Sequence, residues 1–276
     1  MDGTFKVVAP PFKNGTRGQL FTINCFVQID DKMKQFPMFF AIMSRKFKED
    51  YDAIFQHLKD TLQNYAVEGF VVDFEKGVWQ SLRQHFPGVP IKGCVFHWTQ
   101  AVWRHVQDGG LVTTYRQHQT MYCYIKQLMA LPFLPAGHIT PTFNALMIRA
   151  NTPALQQLVQ YMERQWINNQ LHPVQSWSVY QQQIRTNNDV EGWHNRLNKK
   201  ATAQGVGVYK LIPKLRREAQ LVYASVAAED LNRNTDRHYT VLQQRLEDAW
   251  SKYERNNITT SNFLKTVSHL YGVPDL

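Results

Sequence analysis

From Leu20 to Ile29 apolar and polar residues alternate, Asp30-Asp31-Lys32 interrupts them, and an apolar pattern resumes from Pro37 to Met43. Alternation broken by a short acidic turn predicts two antiparallel strands. A shorter β-like run, Phe5 to Val8, precedes them, so the segment reads as a three-strand meander. The period then changes. Tyr51, Ile54, Phe55, Leu58, Leu62 and Tyr65 recur at helical spacing and predict an amphipathic helix over Lys48 to Tyr65. Gly69-Phe-Val-Val-Asp73 is a brief buried strand. Val78, Trp79, Leu82 and Phe86 mark the next helix, which Pro87-Gly88 ends, and Val89 to Val95 predicts a fifth strand.

After Phe96 the pattern is mostly helical, cut into short pieces by Pro132, Pro135, Pro141 and Pro153. Long helical patterns resume from Tyr209 to Leu231 and from Tyr239 to Tyr253. Three antiparallel strands, a helix, a strand, a helix and a strand is the order of an RNase H-like sheet. The expected fold class is therefore α/β: a mixed sheet, with a three-strand antiparallel meander plus parallel strands, a helical insertion and C-terminal helices. The corresponding divisions are a first core part (1–96), the insertion (97–186), final core helices carrying Glu191 (187–232) and a helical extension (233–276).

Composition narrows the function classes. The 276 residues are 43% hydrophobic and 13% aromatic, enough for a buried core. No apolar run is long enough for a bilayer, and the N-terminus lacks a signal-peptide pattern. Three widely spaced cysteines, Cys25, Cys94 and Cys123, argue against a disulfide framework. Net charge is +9, compatible with a polyanionic partner. The charge is unevenly spread: Gly109 to Met162 contains no acid, and Arg196 to Arg217 carries seven Lys or Arg and no acid. Taken alone, the second stretch reads as a solvated helix face.

Three acidic motifs carry the candidate chemistry: Asp2-Gly3-Thr4-Phe5, Val71-Val72-Asp73-Phe74-Glu75, and Thr186-Asn187-Asn188-Asp189-Val190-Glu191. Carboxylate oxygens suit Mg²⁺ or Mn²⁺. Two such ions about 3.5–4 Å apart stabilise both the attacking and the leaving oxygen of a phosphodiester displacement. Each carboxylate also has a structural alternative. Asp73 could cap the following helix, and Glu75 fits a first-turn residue favoured by the helix dipole. Glu191, three residues after Asn188, resembles the acid of a capping box. In that last helix Val190, Trp193 and Leu197 fall on one face for the core, while Glu191, His194 and Asn195 share a polar face.

Cys94-Val95-Phe96-His97 has a C-x₂-H spacing that can chelate, but a structural zinc needs about four ligands. His118, Cys123, His138 and His172 offer no convincing pairing with it. A buried Cys and a hydrogen-bonded His tying a strand to a helix is the reading these two residues support by themselves. No nucleophile elbow, P-loop or dinucleotide glycine pattern is present.

Asp2-Gly-Thr-Phe5, Gln19-Leu-Phe-Thr-Ile23, Val72-Asp-Phe-Glu75, Phe86-Pro87, Gly93-Cys-Val-Phe-His97 with Arg104, and Asn187-Asn188 with Glu191 stand in an order that resembles the Mutator-like element (MULE) transposase domain, above all the animal versions found with FLYWCH-type zinc fingers. The resemblance spans Asp2 to about Arg217. It implies an RNase H-like DDE core with Asp2, Asp73 and Glu191 as catalytic, metal-binding triad and two Mg²⁺ or Mn²⁺ ions as cofactors. It implies Cys94 and His97 as a C-x₂-H motif supporting the core. From the helix pattern itself, His194, one turn after Glu191, and Asn188 are the candidates to stand behind the triad. The resemblance further implies DNA as partner, contacted by Arg196, Lys199, Lys200, Lys210, Lys214, Arg216 and Arg217 through phosphates, with a homo-oligomer, a nuclear location and no membrane. The implied reaction is metal-dependent cleavage and strand transfer on DNA.

One feature departs from that pattern. Asp2 follows only Met1, without the apolar residues of a first strand. This predicts a fraying terminus, a domain truncated at its N-terminus, and a metal ligand held too loosely for catalysis. A catalytically inactive, transposase-derived protein that binds DNA or another protein is the alternative expectation, and the sequence leaves enzymatic activity open.

Overall fold

A computed structural model describes residues 1–9, 12, 18–62, 66–117, 119–186, 188–199, 206–231 and 237–270. It opens with β1 (Asp2–Thr4), β2 (Gln19–Ile29), β3 (Lys32–Met43), α1 (Lys48–Thr61), β4 (Phe70–Val72), α2 (Lys76–His85) and β5 (Ile91–Gly93). Helices follow: α3 (Val95–Asp108), α4 (Val112–Gln117), α5 (Gln119–Met129), α6 (Ala136–Met147), α7 (Pro153–Met162) and α8 (Val174–Trp177). The last four are α9 (Asn188–Lys199), α10 (Val208–Ala227), α11 (Arg237–Glu254) and α12 (Thr260–Leu270). Two compact units emerge, one comprising Met1–Ile91 with Asn187–Asn234 and the other Lys92–Thr186 with Thr235–Leu276. Among the described residues no helix is long and apolar enough to cross a membrane.

The first unit is mixed α/β, with a three-stranded antiparallel sheet β1-β2-β3 and a separate parallel pair β4-β5. The β2–β3 hairpin closes at Ile29↔Lys32 around Asp30, whose φ of 52° is left-handed. Asp tolerates this conformation better than most residues. Strand β3 begins at Lys32 rather than Pro37. The ladder shifts register where Ile23 faces Phe39 and Asn24 faces Pro37, leaving Met38 as the extra residue. A bulge accommodates the proline, which has no N–H for the ladder.

The first strand also differs from expectation. It covers Asp2–Thr4, not Phe5 to Val8, with Asp2 opposite Thr22 and Thr4 opposite Leu20. The chain bends at Phe5, and Val8 makes an isolated bridge to Val206. Val7 and Val8 are both buried, joining Leu20, Trp193, Leu197, Val206, Leu211 and Leu215 in one apolar cluster. The two valines thus serve the core that seats α9 and α10, rather than alternating along a sheet.

Helix α1 ends at Thr61, with Leu62 extended, and Tyr65 lies outside the described residues. It packs on α2 through aromatic contacts such as Phe55 with Phe86 (5.9 Å, edge-on). Strand β5 is shorter than Val89 to Val95. Pro90 contributes its carbonyl to the Phe70 N–H (2.9 Å), and Cys94 already stands at the N-cap of α3.

The second unit is helical. Trp98, Trp166 and Trp177 are fully buried, and Trp98 stacks on Trp177 at 5.4 Å. The prolines here have distinct positions. Pro153 takes the first position of α7, where its missing N–H costs nothing. Pro135 is the N-cap of α6, while Pro141 lies inside that helix without ending it.

Candidate functional site

Strand β1 holds Asp2 despite its place at position 2. The Met1 nitrogen donates to the Val71 carbonyl (2.8 Å), and the Thr22 hydroxyl donates to the Asp2 carbonyl (3.3 Å). The Asp2 side chain is buried; its Oδ1 accepts from the Gly3 N–H (2.7 Å), and its Oδ2 lies 3.4 Å from His194 Nδ1. The expectation of a fraying ligand is therefore corrected: strand pairing and burial tie the residue down.

His194 is also unlike its expected position on a polar face. It is 4% exposed, with Nε2 3.0 Å from the Thr22 hydroxyl. Helix α9 turns Val190, Trp193 and Leu197 into the core, as their spacing predicted. The side chain of Asn188, and with it the capping-box alternative, lies outside the described residues.

The carboxylates of Asp2 and Glu191 offer oxygen atoms within 4.8 Å of one another. Burial, and then the Asp2 charge, push the Glu191 carboxyl up to about 7. Asp73 follows β4 directly. Burial, then the charges of Glu75 and Asp2, push it up to about 6, while Lys46 and a hydrogen bond from the Glu75 backbone pull the other way. Asp2 thus acts electrostatically on both partners. A like charge in a poorly solvated place disfavours ionisation, and such perturbed groups collect at functional sites.

The helix-cap alternative for Asp73 does not hold. The N-cap of α2 is Glu75, not Asp73, and it makes no capping bond through its side chain. Asp73 contributes its carbonyl to Trp79 Nε1 (2.6 Å) instead. Glu75 is more than a first-turn charge. Its Oε2 accepts from Lys46 Nζ (2.5 Å), and its Oε1 accepts from the Tyr51 hydroxyl. Tyr51 in turn accepts from Gln19 Nε2 (2.8 Å). Gly3 makes this possible, because a Cβ there would lie 2.0 Å from Gln19 Oε1.

Sequence reasoning missed Gln19, Thr22, Lys46 and Tyr51 as site residues. A signal existed for two of them: Gln19 and Thr22 are polar residues in an otherwise apolar strand segment, and both are buried. The basic residues are mostly at the surface. Arg196 and Lys199 on α9 and Lys210, Arg216 and Arg217 on α10 are exposed, Lys214 is half-buried, and Lys200 lies outside the described residues. Cys94 and His97 belong to the second unit. Cys94 is buried at the N-cap of α3, and His97 is half-buried in the first turn of that helix.

Residues 1–101 match the family model of the MULE transposase domain. The matched stretch includes Asp2, Asp73, Cys94 and His97 and stops before Glu191. No curated protein and no solved structure matches the chain. The family match points to a transposase-related function and to interaction with DNA.

Proposed function

We propose that this chain is a DDE-type transposase catalytic domain with an RNase H-like core, in which Asp2, Asp73 and Glu191 bind two Mg²⁺ or Mn²⁺ ions. The observation that carries the proposal is the approach of acids from three separate elements: buried Asp2 and half-buried Glu191 offer oxygens within 4.8 Å of one another, and the Asp2 charge also acts on half-buried Asp73. Asp2 comes from β1, Asp73 from the end of β4 and Glu191 from α9, and Asp2 raises the proton affinity of the other two.

The donor set fits hard divalent cations, which take carboxylate oxygens. A cation also relieves the like-charge repulsion that otherwise favours protonation. Bound there, the two ions would supply a Lewis acid for the attacked phosphodiester and a stabilising charge for its leaving oxygen. The protein's own part is positioning. His194 and the Gly3 N–H orient the Asp2 carboxylate, and Thr22 holds both the Asp2 backbone and His194. The exposed cations of α9 and α10 would engage DNA phosphates, giving salt-dependent, largely sequence-independent affinity. Cys94 and His97 would support the fold of the second unit. A nuclear location follows from this reading.

The test is nicking of supercoiled plasmid in Mg²⁺ or Mn²⁺. Asp73→Asn and Glu191→Gln are expected to fall to the metal-free background, while Asp52→Asn, a change elsewhere in the unit, keeps the parent rate. Asp73→Asn and Glu191→Gln proteins that nick like the parent would show the triad assignment to be wrong. A parent that binds DNA but never nicks it supports the non-catalytic derivative instead.

A further inference from the structure

Beside the carboxylates stands a short segment whose chemistry the triad does not use. Lys46 follows β3 by three residues and is held at its tip by two partners: its Nζ meets Glu75 Oε2 at 2.5 Å and lies 4.5 Å from the centre of the Phe5 ring. Phe5 follows β1 directly and is 40% exposed, although it is a large apolar ring. The arrangement repeats next door. Arg45 lies over the Phe47 ring at 5.5 Å, Phe47 is 52% exposed, and Asp50 holds the Arg45 guanidinium at 3.1 Å. Two exposed rings, each with a cation against it and each cation held by a carboxylate, make an ordered surface rather than a random scatter of side chains.

We propose that Phe5, Arg45, Lys46 and Phe47 form a subsite for single-stranded DNA beside the reacting phosphodiester, with the rings stacking on bases and the cations meeting phosphates. The inference rests on the catalytic reading above and adds to it a preference for unpaired strand. Every base has a π-face, so exposed aromatics bind single strands with little regard to sequence, and neighbouring cations follow the backbone. Stacking needs an unpaired base, which a duplex does not offer at its side. The location supports the same occupant. Lys46 touches Glu75, two residues from Asp73, and Phe5 is three residues from Asp2, so a strand lying on the rings runs past the carboxylates. Two divalent cations would more than offset three carboxylates, leaving Lys46, whose charge acts on Asp73, beside a site that no longer repels a phosphate.

The hydrogen-bonded chain behind Lys46 explains how it is held. Gln19 donates to Tyr51, Tyr51 donates to Glu75, and Glu75 accepts from Lys46. The ammonium is therefore placed by half-buried Glu75, which buried Gln19 and Tyr51 hold from behind.

The experiment uses the full chain and a duplex with a single-stranded overhang carrying 2-aminopurine, in Ca²⁺ to hold the carboxylates without turnover. Anisotropy gives affinity against salt, and 2-aminopurine quenching reports stacking. Phe5→Leu and Phe47→Leu are expected to weaken overhang binding about fivefold or more each and to reduce quenching, with blunt-duplex affinity unchanged. Lys46→Gln should lower the salt slope by about 0.7, the value for one single-strand phosphate, and Lys46→Arg should keep it. Parent-like quenching and affinity in both Leu variants overturns the subsite, as does equal weakening of overhang and blunt duplex. Nicking that still depends on Asp73 alongside parent-like quenching removes the subsite alone. Quenching that depends on Phe5 in a protein that never nicks removes the catalytic reading alone.

Discussion

Asp52 and Asp73 lie in the same unit, and their carboxyls are displaced in opposite directions. Burial would raise Asp52, but hydrogen bonds from Lys48 (2.5 Å) and Ser81 (2.6 Å), with the charges of Lys48 and His85, bring it below its usual range. Burial also raises Asp73, and there the nearby charges of Glu75 and Asp2 add to the effect, leaving it at about 6. The contrast separates a carboxylate that completes a structure from carboxylates arranged against their own stability. Asp52 ties α1 to α2 and is satisfied as an anion. Asp73 and Glu191 are held where an anion is disfavoured, which a fold does only at a cost and which an added cation reverses.

The largest effect should come from removing that cost. An acid whose folded pKa is raised binds its proton more tightly in the native state, so its contribution to stability falls as pH rises from the unfolded value to the folded one. For Asp73 the window runs from about 4, the unperturbed value, up to about 6. Above it, metal-free Asp73→Asn should be more stable than the parent by up to about 3 kcal/mol, at about 1.4 kcal/mol per pH unit of displacement. The gain should shrink to nothing near pH 4. Urea titrations of both proteins at pH 4, 5, 6 and 7.5 measure it. On the proposed metal-binding reading, saturating Mn²⁺ should reverse the order, because only the parent would keep the full ligand set. A variant that tracks the parent across the window removes the electrostatic basis of the site.

Asp52→Asn should behave in the opposite sense, with a smaller effect. It loses charge-assisted bonds that are partly open to solvent, so the cost should be about 1–2 kcal/mol at pH 7. A lowered acid stabilises above its unfolded pKa and loses that contribution as pH falls below about 4. The same titrations, extended down to about pH 2.5, should therefore show the Asp52→Asn deficit level above about pH 4 and closing below it, unaffected by Mn²⁺. If the deficit is constant with pH, Asp52 acts by packing and the contrast with Asp73 loses one side.

The legibility of the two regions differs for a physical reason. Strands β2 and β4 and helices α1 and α2 were readable, because each buries one face and the period of Tyr51 and Phe55 or of Val78, Trp79 and Leu82 records it. Val190, Trp193 and Leu197 were readable in the same way. Asp2 and Asp73 stood out from the motifs around them. The burial of His194 was not readable, because its neighbours in space come from a strand far back in the sequence, and only the tertiary structure brings Thr22 and Asp2 to it. The strand at Asp2–Thr4 was missed because only three residues pair, too few to show alternation, while Val7 and Val8 imitate a strand for the sake of another core. The Gln19–Tyr51–Glu75–Lys46 chain was invisible for the same reason as His194.

The smallest expected effect tests the uncharged support behind the site, the bond from Gln19 to the Tyr51 hydroxyl. In Gly3→Ala the new Cβ would sit 2.0 Å from Gln19 Oε1 and 2.7 Å from its Cδ. The obstacle is the end of a side chain, not backbone, so Gln19 should swing aside and β1 should stay paired. Gln19 then loses its bond to the Tyr51 hydroxyl, at about 1 kcal/mol for a neutral hydrogen bond. No ionisable group changes, so the loss should be the same above, within and below the pH windows of the two aspartate variants. Gln19→Ala removes the same bond and also the clash. The double variant Gly3→Ala/Gln19→Ala should therefore be about as stable as Gln19→Ala alone, a coupling that a double-mutant cycle reads directly. Additive losses would mean that Ala at position 3 disturbs β1 itself, and the site would then depend on the strand backbone rather than on the room Gly3 leaves for Gln19.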